Sequence, residues 1–176
     1  MFYIQFKDQW VDHQFSYLTE DAERARLEGT RPGNEKKFVN RRSPLVICEE
    51  LQTLSHIMTK DLISVSHDDD ILHAYRRMER DQIHHLLVLK KGKFLGLLSS
   101  TDLLPYKKVK YAGMATVETI LNTVIVAAHE SATLGQAALV LKNEKISSMI
   151  VLNDDKEICG IVTVNDFLDK IAEVFP

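Results

Sequence analysis

Apolar and polar positions in this chain follow two rhythms, and the pair of rhythms is written twice. "DILHAYRRMERD" places Ile71, Ala74, Tyr75 and Met78 at i, i+3, i+4 and i+7, the spacing of one helix face. "TLGQAALVLKNE" repeats the spacing with Leu134, Ala137, Ala138 and Leu141. Ahead of each helix stands a short extended piece, "LISV" or "VIVA". Behind it comes a buried strand, "LLVL" or "MIVL", then a turn, "KKGK" or "NDDKE", then a second strand, "FLGLLS" or "ICGIVT". A closing helix begins near Asp102 or Asp166. Pro105 stops the first of these early, whereas Phe167, Leu168, Ile171, Val174 and Phe175 carry an apolar stripe along the second. Each copy therefore predicts the order β-α-β-β-α.

The two copies keep register. One constant shift lays Ile57-Met58 on Ile120-Leu121, Leu62-Ile63 on Ile125-Val126, and "IHHLLVL" on "ISSMIVL". With one inserted residue near Asp154-Asp155, "GLLSSTDLL" (Gly96–Leu104) falls on "GIVTVNDFL" (Gly160–Leu168). Agreement over so long a stretch identifies an internal repeat. The predicted fold class is α/β (α+β): two β-α-β-β-α repeats packed about a pseudo-twofold axis, with an N-terminal extension. The predicted organisation is an extension over 1–53, a first repeat over 54–106, a linker over 107–116 and a second repeat over 117–176. A unit of about 50 residues buries too little surface to stand alone, so the repeats should share an interface, and ligands favour such clefts.

The extension lies outside the repeat. Phe2, Ile4 and Phe6 alternate as in a strand, and Thr19 is placed to cap a helix, "EDAERARLE", that stops at Gly29. Trp10, Phe15, Tyr17 and Leu18 need burial, on the chain's own repeats or on a partner subunit; the expectation favours a dimer contact.

Composition narrows the function classes. Of the 176 residues, 45% are hydrophobic and 27% charged, as in an ordinary globular protein, and the net charge of −3 gives no global pull toward nucleic acid or anionic membrane. No apolar run approaches the roughly 18 residues of a membrane span, and "MFYIQFKDQW" does not read as a secretory signal. Cys48 and Cys159, without a CxxC, read as reduced thiols of a cytoplasmic protein.

Several stretches hold candidate chemistry. Ser99-x-x-Asp102 and Thr163-x-x-Asp166 have the spacing of helix capping boxes. They also sit where a strand meets a helix, a place that favours an anion. "HDDD" (His67–Asp70) reads as a helix start rather than a metal site. His84 and His85 stand side by side at a strand, so they face opposite ways. The basic stretches "RPGNEKKFVNRR" and "YKKVKY" read as solvated linkers. The alternatives are that Lys107 or Lys108 reaches ligand phosphates, or that the stretches bind nucleic acid. No nucleophile–base–orienter set stands out.

The tandem resembles a pair of CBS (cystathionine β-synthase) domains, the regulatory unit called a Bateman module. The likeness covers Leu54–Tyr106 and Val117–Phe175, with "HIMTKDLISV" leading in and the Gly-h-h-Ser/Thr-x-x-Asp phrase closing each copy. It implies a regulatory sensor, not an enzyme, that binds AMP, ADP, ATP or S-adenosylmethionine and has no obligatory cofactor or metal. It also implies a homodimer acting on an effector protein. Carried onto this chain, Ser99 and Thr163 would meet phosphate or sugar oxygens, while Asp102 and Asp166 would accept the ribose hydroxyls. The adenine would lie on Leu62 and Ile63, or on Ile125 and Val126, helped by Thr59 or Thr123 and by His85 or Ser148. Leu87 and Ile150 stand where many members of the family have Pro. The rival expectations are a structural dimer that binds no ligand and a nucleic-acid-associated protein using the basic linkers.

Overall fold

The structure, a computed structural model, describes residues 1–6, 8–19, 53–106 and 115–174. The predicted helix after Thr19, the basic stretch after Arg31, Cys48, Lys107, Lys108 and Phe175 lie outside these residues. The chain begins with a hairpin, β1 (Phe2–Phe6) and β2 (Gln9–His13). The first repeat follows as β3 (Ser64–Ser66), α1 (Ile71–Asp81), β4 (His85–Lys90), β5 (Lys93–Ser99) and α2 (Ser100–Leu103). The second is β6 (Val126–His129), α3 (Leu134–Glu144), β7 (Ser148–Leu152), β8 (Ile158–Thr163) and α4 (Val164–Val174). The predicted element order holds in both copies.

Local chemistry sets the boundaries. Asp70 caps α1 by accepting the His73 amide at 2.6 Å, and Thr133 caps α3 by accepting that of Gln136 at 3.2 Å. Both helices end on a left-handed residue, Gln82 (φ 53°) and Lys145 (φ 55°). Lys91 and Gly92, both at positive φ, turn β4 into β5 as a tight hairpin. After α2, Leu104–Tyr106 form a 3-10 turn at Pro105, so the early stop occurs as expected.

Each repeat builds a small sheet in which β3 and β4, or β6 and β7, run parallel, while β4–β5 and β7–β8 are antiparallel. The N-terminal hairpin joins the second sheet: β1 pairs antiparallel with β6, giving the order β2-β1-β6-β7-β8. This pairing buries Phe2 and Phe15 in the second repeat's core, with Tyr17 and Leu18 beside them. Trp10 stacks on Phe94 of the first repeat at 5.7 Å. Phe15 thus finds full burial and Trp10, Tyr17 and Leu18 partial burial within the chain, because β6 offers an open edge, while Phe6 stays exposed.

Three apolar clusters form among the described residues. Ile71, Ala74 and Met78 of α1 fill the first with β4 and β5. Ala137, Val140 and Leu141 of α3 fill the second; Val140 replaces the expected Ala138, which is exposed. The third lies between the sheets and is built from equivalent pairs: Leu87 with Ile150, Leu97 with Ile161, Leu62 with Ile125. That equivalence is the expected pseudo-twofold interface.

The lead-in segments cross over. Leu54, fully buried, sits in the second repeat's core, its amide donating to the Ala132 carbonyl at 3.0 Å. Val117, also fully buried, sits in the first repeat's core, its amide donating to Asp69 O at 2.9 Å. Thr59 bridges to Ile161, and Asn122 to Leu97. On α4, Phe167 packs inward but Val164, Leu168 and Ile171 are exposed, so much of that stripe faces out. No helix among the described residues is long and apolar enough to cross a membrane.

Candidate functional site

The crossover of the lead-in segments creates two clefts, each with one wall from either repeat. In the first, Thr59, Leu62, Ile63 and His85 of repeat one face Thr163 and Asp166 of repeat two. In the second, Ile125, Val126 and Ser148 of repeat two face Ser99 and Asp102 of repeat one. Their volumes are about 310 and 260 Å³, near the lower end of small-molecule pockets.

Strand–helix junctions position the four polar residues of the closing phrases. Ser99 ends β5, and the Asp102 carboxylate turns back to accept the Ser99 amide at 2.8 Å and hydroxyl at 2.6 Å. The Asp102 amide in turn donates to the Ser99 hydroxyl at 3.3 Å, completing a capping box. At the end of β8, Asp166 accepts the Thr163 amide at 2.6 Å and hydroxyl at 2.7 Å. Every one of these bonds to a carboxylate uses Oδ2, which leaves Oδ1 of each acid outside the box. The first amides of the two helices are taken too: Ser100 N–H by His84 O at 2.8 Å, Val164 N–H by Ser147 O at 3.0 Å. Few amides therefore remain for an anion at the helix starts, fewer than the sequence suggested.

The two glycines act on the protein rather than on open space. A β-carbon at Gly96 would stand 2.6 Å from the Asn122 carbonyl oxygen, and one at Gly160 2.6 Å from the Met58 sulfur. Their bareness lets the opposite repeat's lead-in segment lie against the strand and form the cleft floor.

His84, just before β4, is exposed and His85, the first residue of β4, is half-buried. Both line the first cleft, so they do not face opposite ways as expected, because only His85 is held in the strand. The His85 Nε2 is buried and has no hydrogen-bond partner among the described residues. Burial, then the neighbouring His84, push this imidazole below its ordinary pKa; Asp102 and Asp166 pull it the other way. His85 therefore sits within electrostatic reach of both acids.

Thr123 is exposed and lines neither cleft. Its neighbours Asn122 and Val124 line the second cleft instead, and the repeat register had already matched Thr59 with Asn122. Further lining residues not assigned a ligand contact from the sequence are Asp61, His84, Asn165, Thr101, Lys145 and Ser147. The same register exposes most of them in pairs, such as His84 with Ser147.

CBS domains match residues 54–108 and 117–173, well over half of the chain, and the chain belongs to the CBS domain family. It is 26% identical over 126 residues to L-aspartate semialdehyde sulfurtransferase of Methanocaldococcus jannaschii, a match covering 71% of this chain and 23% of that protein. It is 27% identical over 116 residues to homoserine O-acetyltransferase of Methanosarcina acetivorans, over 62% and 21%. The chain thus spans under a quarter of the length of these two curated relatives. Among solved structures it resembles the CBS domain pair of protein MJ0100 in complex with 5′-methylthioadenosine and S-adenosyl-L-methionine. That likeness has a TM-score of 0.60 at 24% identity, covering 70% of this chain and 98% of that one.

Proposed function

We propose that this CBS pair is a regulatory sensor, without a catalytic role, that binds adenosyl ligands between its repeats. The class comprises AMP, ADP, ATP and S-adenosylmethionine. The observation that carries the reading is the composition of each cleft. A carboxylate with one uncommitted oxygen faces an aliphatic wall from the opposite repeat. A carboxylate oxygen suits a ribose hydroxyl donor, and an aliphatic wall suits the face of a purine. In this reading Asp102 and Asp166 take ribose hydroxyls, and Ser99 and Thr163 turn toward sugar or phosphate. Leu62 with Ile63, and Ile125 with Val126, hold the base beside Thr59, His85 and Ser148. Lys107 and Lys108 stay candidates for phosphate.

Because both walls of a cleft come from different repeats, a ligand that prefers one inter-repeat angle shifts the molecule toward it. The exposed Val164, Leu168 and Ile171 on α4 suit a homodimer contact through which that shift reaches an effector protein, in the cytoplasm. Thermal unfolding with AMP, ADP, ATP, S-adenosylmethionine, NAD and cyclic dinucleotides tests the sensor. A ligand at a hundred times its Kd adds about 2.7 kcal/mol and raises Tm. If none raises Tm and none binds by calorimetry, the reading is wrong. The capping bonds then favour the rival, a structural pair in which both acids serve only their helices.

A further inference from the structure

We infer that the two clefts take chemically different ligands: the Asp102 cleft a phosphorylated adenosine, the Asp166 cleft an adenosine derivative without phosphate, neutral or cationic. This rests on the adenosyl-sensor reading and adds which ligand class goes where.

The pseudo-twofold axis allows the clefts to be compared position by position. Where the Asp166 cleft carries Asp61, the Asp102 cleft carries the equivalent Val124. Where the first repeat ends α1 on Gln82, the second ends α3 on Lys145, and Lys145 lines the Asp102 cleft. The Asp166 cleft therefore has two carboxylates and no lysine or arginine among its described lining residues. Burial and His84 disfavour the charged form of His85, so it offsets little of that negative charge. The Asp102 cleft has one carboxylate against one ammonium. Lys145 makes no ion pair among the described residues, and it is exposed, free to reach a phosphate as a mobile point charge.

One effect opposes this assignment and is smaller. The start of α4, a helix of 11 residues, lies at the Asp166 cleft and brings roughly half a positive charge. Two full carboxylates outweigh it, and one of them, Asp166, is already folded onto that helix start. The four-residue α2 at the other cleft brings little dipole, so Lys145 supplies the positive charge there, against Asp102 alone. A phosphate near Asp61 and Asp166 would be repelled; a sulfonium would be attracted.

The test uses AMP, S-adenosylmethionine and 5′-methylthioadenosine as probes in calorimetry on the full chain, singly and in competition. AMP should fill one site per chain without displacing S-adenosylmethionine. Lys145→Gln should weaken AMP about tenfold and leave S-adenosylmethionine unchanged. Gln stands at the equivalent left-handed position of the first repeat, so the fold tolerates it. Asp61→Asn should weaken S-adenosylmethionine and leave the AMP site unchanged. The assignment is overturned if AMP fills two equal sites or if AMP and S-adenosylmethionine compete. It is also overturned if Lys145→Gln leaves AMP affinity intact, or if the chain binds AMP but neither phosphate-free probe. In those cases the sensor reading survives. If no adenosyl compound binds at all, both fall.

Discussion

Gly96 lies against the backbone of Asn122, so closely that a β-carbon on the glycine would meet the asparagine carbonyl oxygen at 2.6 Å. Gly160 makes the equivalent approach to a side chain, with the flexible end of Met58 as its neighbour. The difference between backbone and thioether sets the first expectation. Gly96→Ala should destabilise the chain by about 1–3 kcal/mol, as overpacking does. Gly160→Ala should cost less, because Met58 can swing away. Urea unfolding of the two variants compares them; equal midpoints would contradict the close approach at Asn122.

Leu54 belongs to the first repeat in sequence and to the second in space. Its truncation to Ala should remove about 2–5 kcal/mol and destabilise the core around α3, although the residue precedes α1 by a full element. Since each repeat supplies a buried residue to the other's core, the chain should unfold in one transition. Fluorescence of the single Trp10 and far-ultraviolet dichroism should trace the same curve. Two separated transitions would mean that the exchanged segments contribute little.

Asp102→Ala and Asp166→Ala each remove a cap and a proposed ribose acceptor. The cap alone is worth about 1 kcal/mol. Charged hydrogen bonds to a ribose diol are worth more, so affinity at the affected cleft should fall at least about tenfold. Calorimetry paired with denaturant melts separates the two roles. A lowered midpoint with unchanged affinity in both variants would leave the acids as caps only.

His85 gives a pH signature. Burial and His84 hold its folded pKa below the ordinary value, near 6.5 for an unfolded chain. Above that value both states are neutral and the residue adds no pH dependence. As pH falls through it, the unfolded chain takes up a proton that the folded chain refuses, so stability drops. His85→Gln should therefore lose less stability than the parent between about pH 7 and pH 5.5. Parallel profiles in that range would place the imidazole in solvent.

Much of this architecture was legible from local pattern. The face of α1 follows from Ile71, Ala74 and Met78, and its start from Asp70. Pro105 ends the first closing helix, and alternation in Phe2, Ile4 and Phe6 marks β1. In each case the signal lies within one or two turns of chain, where periodicity and caps operate. The clefts were legible in composition but not in pairing. Ser99, Asp102, Ile125, Val126 and Ser148 were all named from sequence, yet nothing local joins the end of one repeat to the beginning of the other. Thr123 was misplaced because its side in an extended segment depends on how Asn122 docks on Leu97.

By itself the sequence determined the repeat, its element order, its caps and the residue types available to a site. Those are written in spacing and in side-chain chemistry that acts between near neighbours. The tertiary structure alone decided that Leu54 and Val117 change places between cores. It decided too that β1 extends the second sheet, and that Asp61 and Lys145 line equivalent clefts and leave them with unequal charge. These outcomes rest on backbone pairing at an open strand edge and on contacts between distant segments. A backbone hydrogen bond looks the same whatever side chain it carries, so it leaves no mark in the pattern of residues.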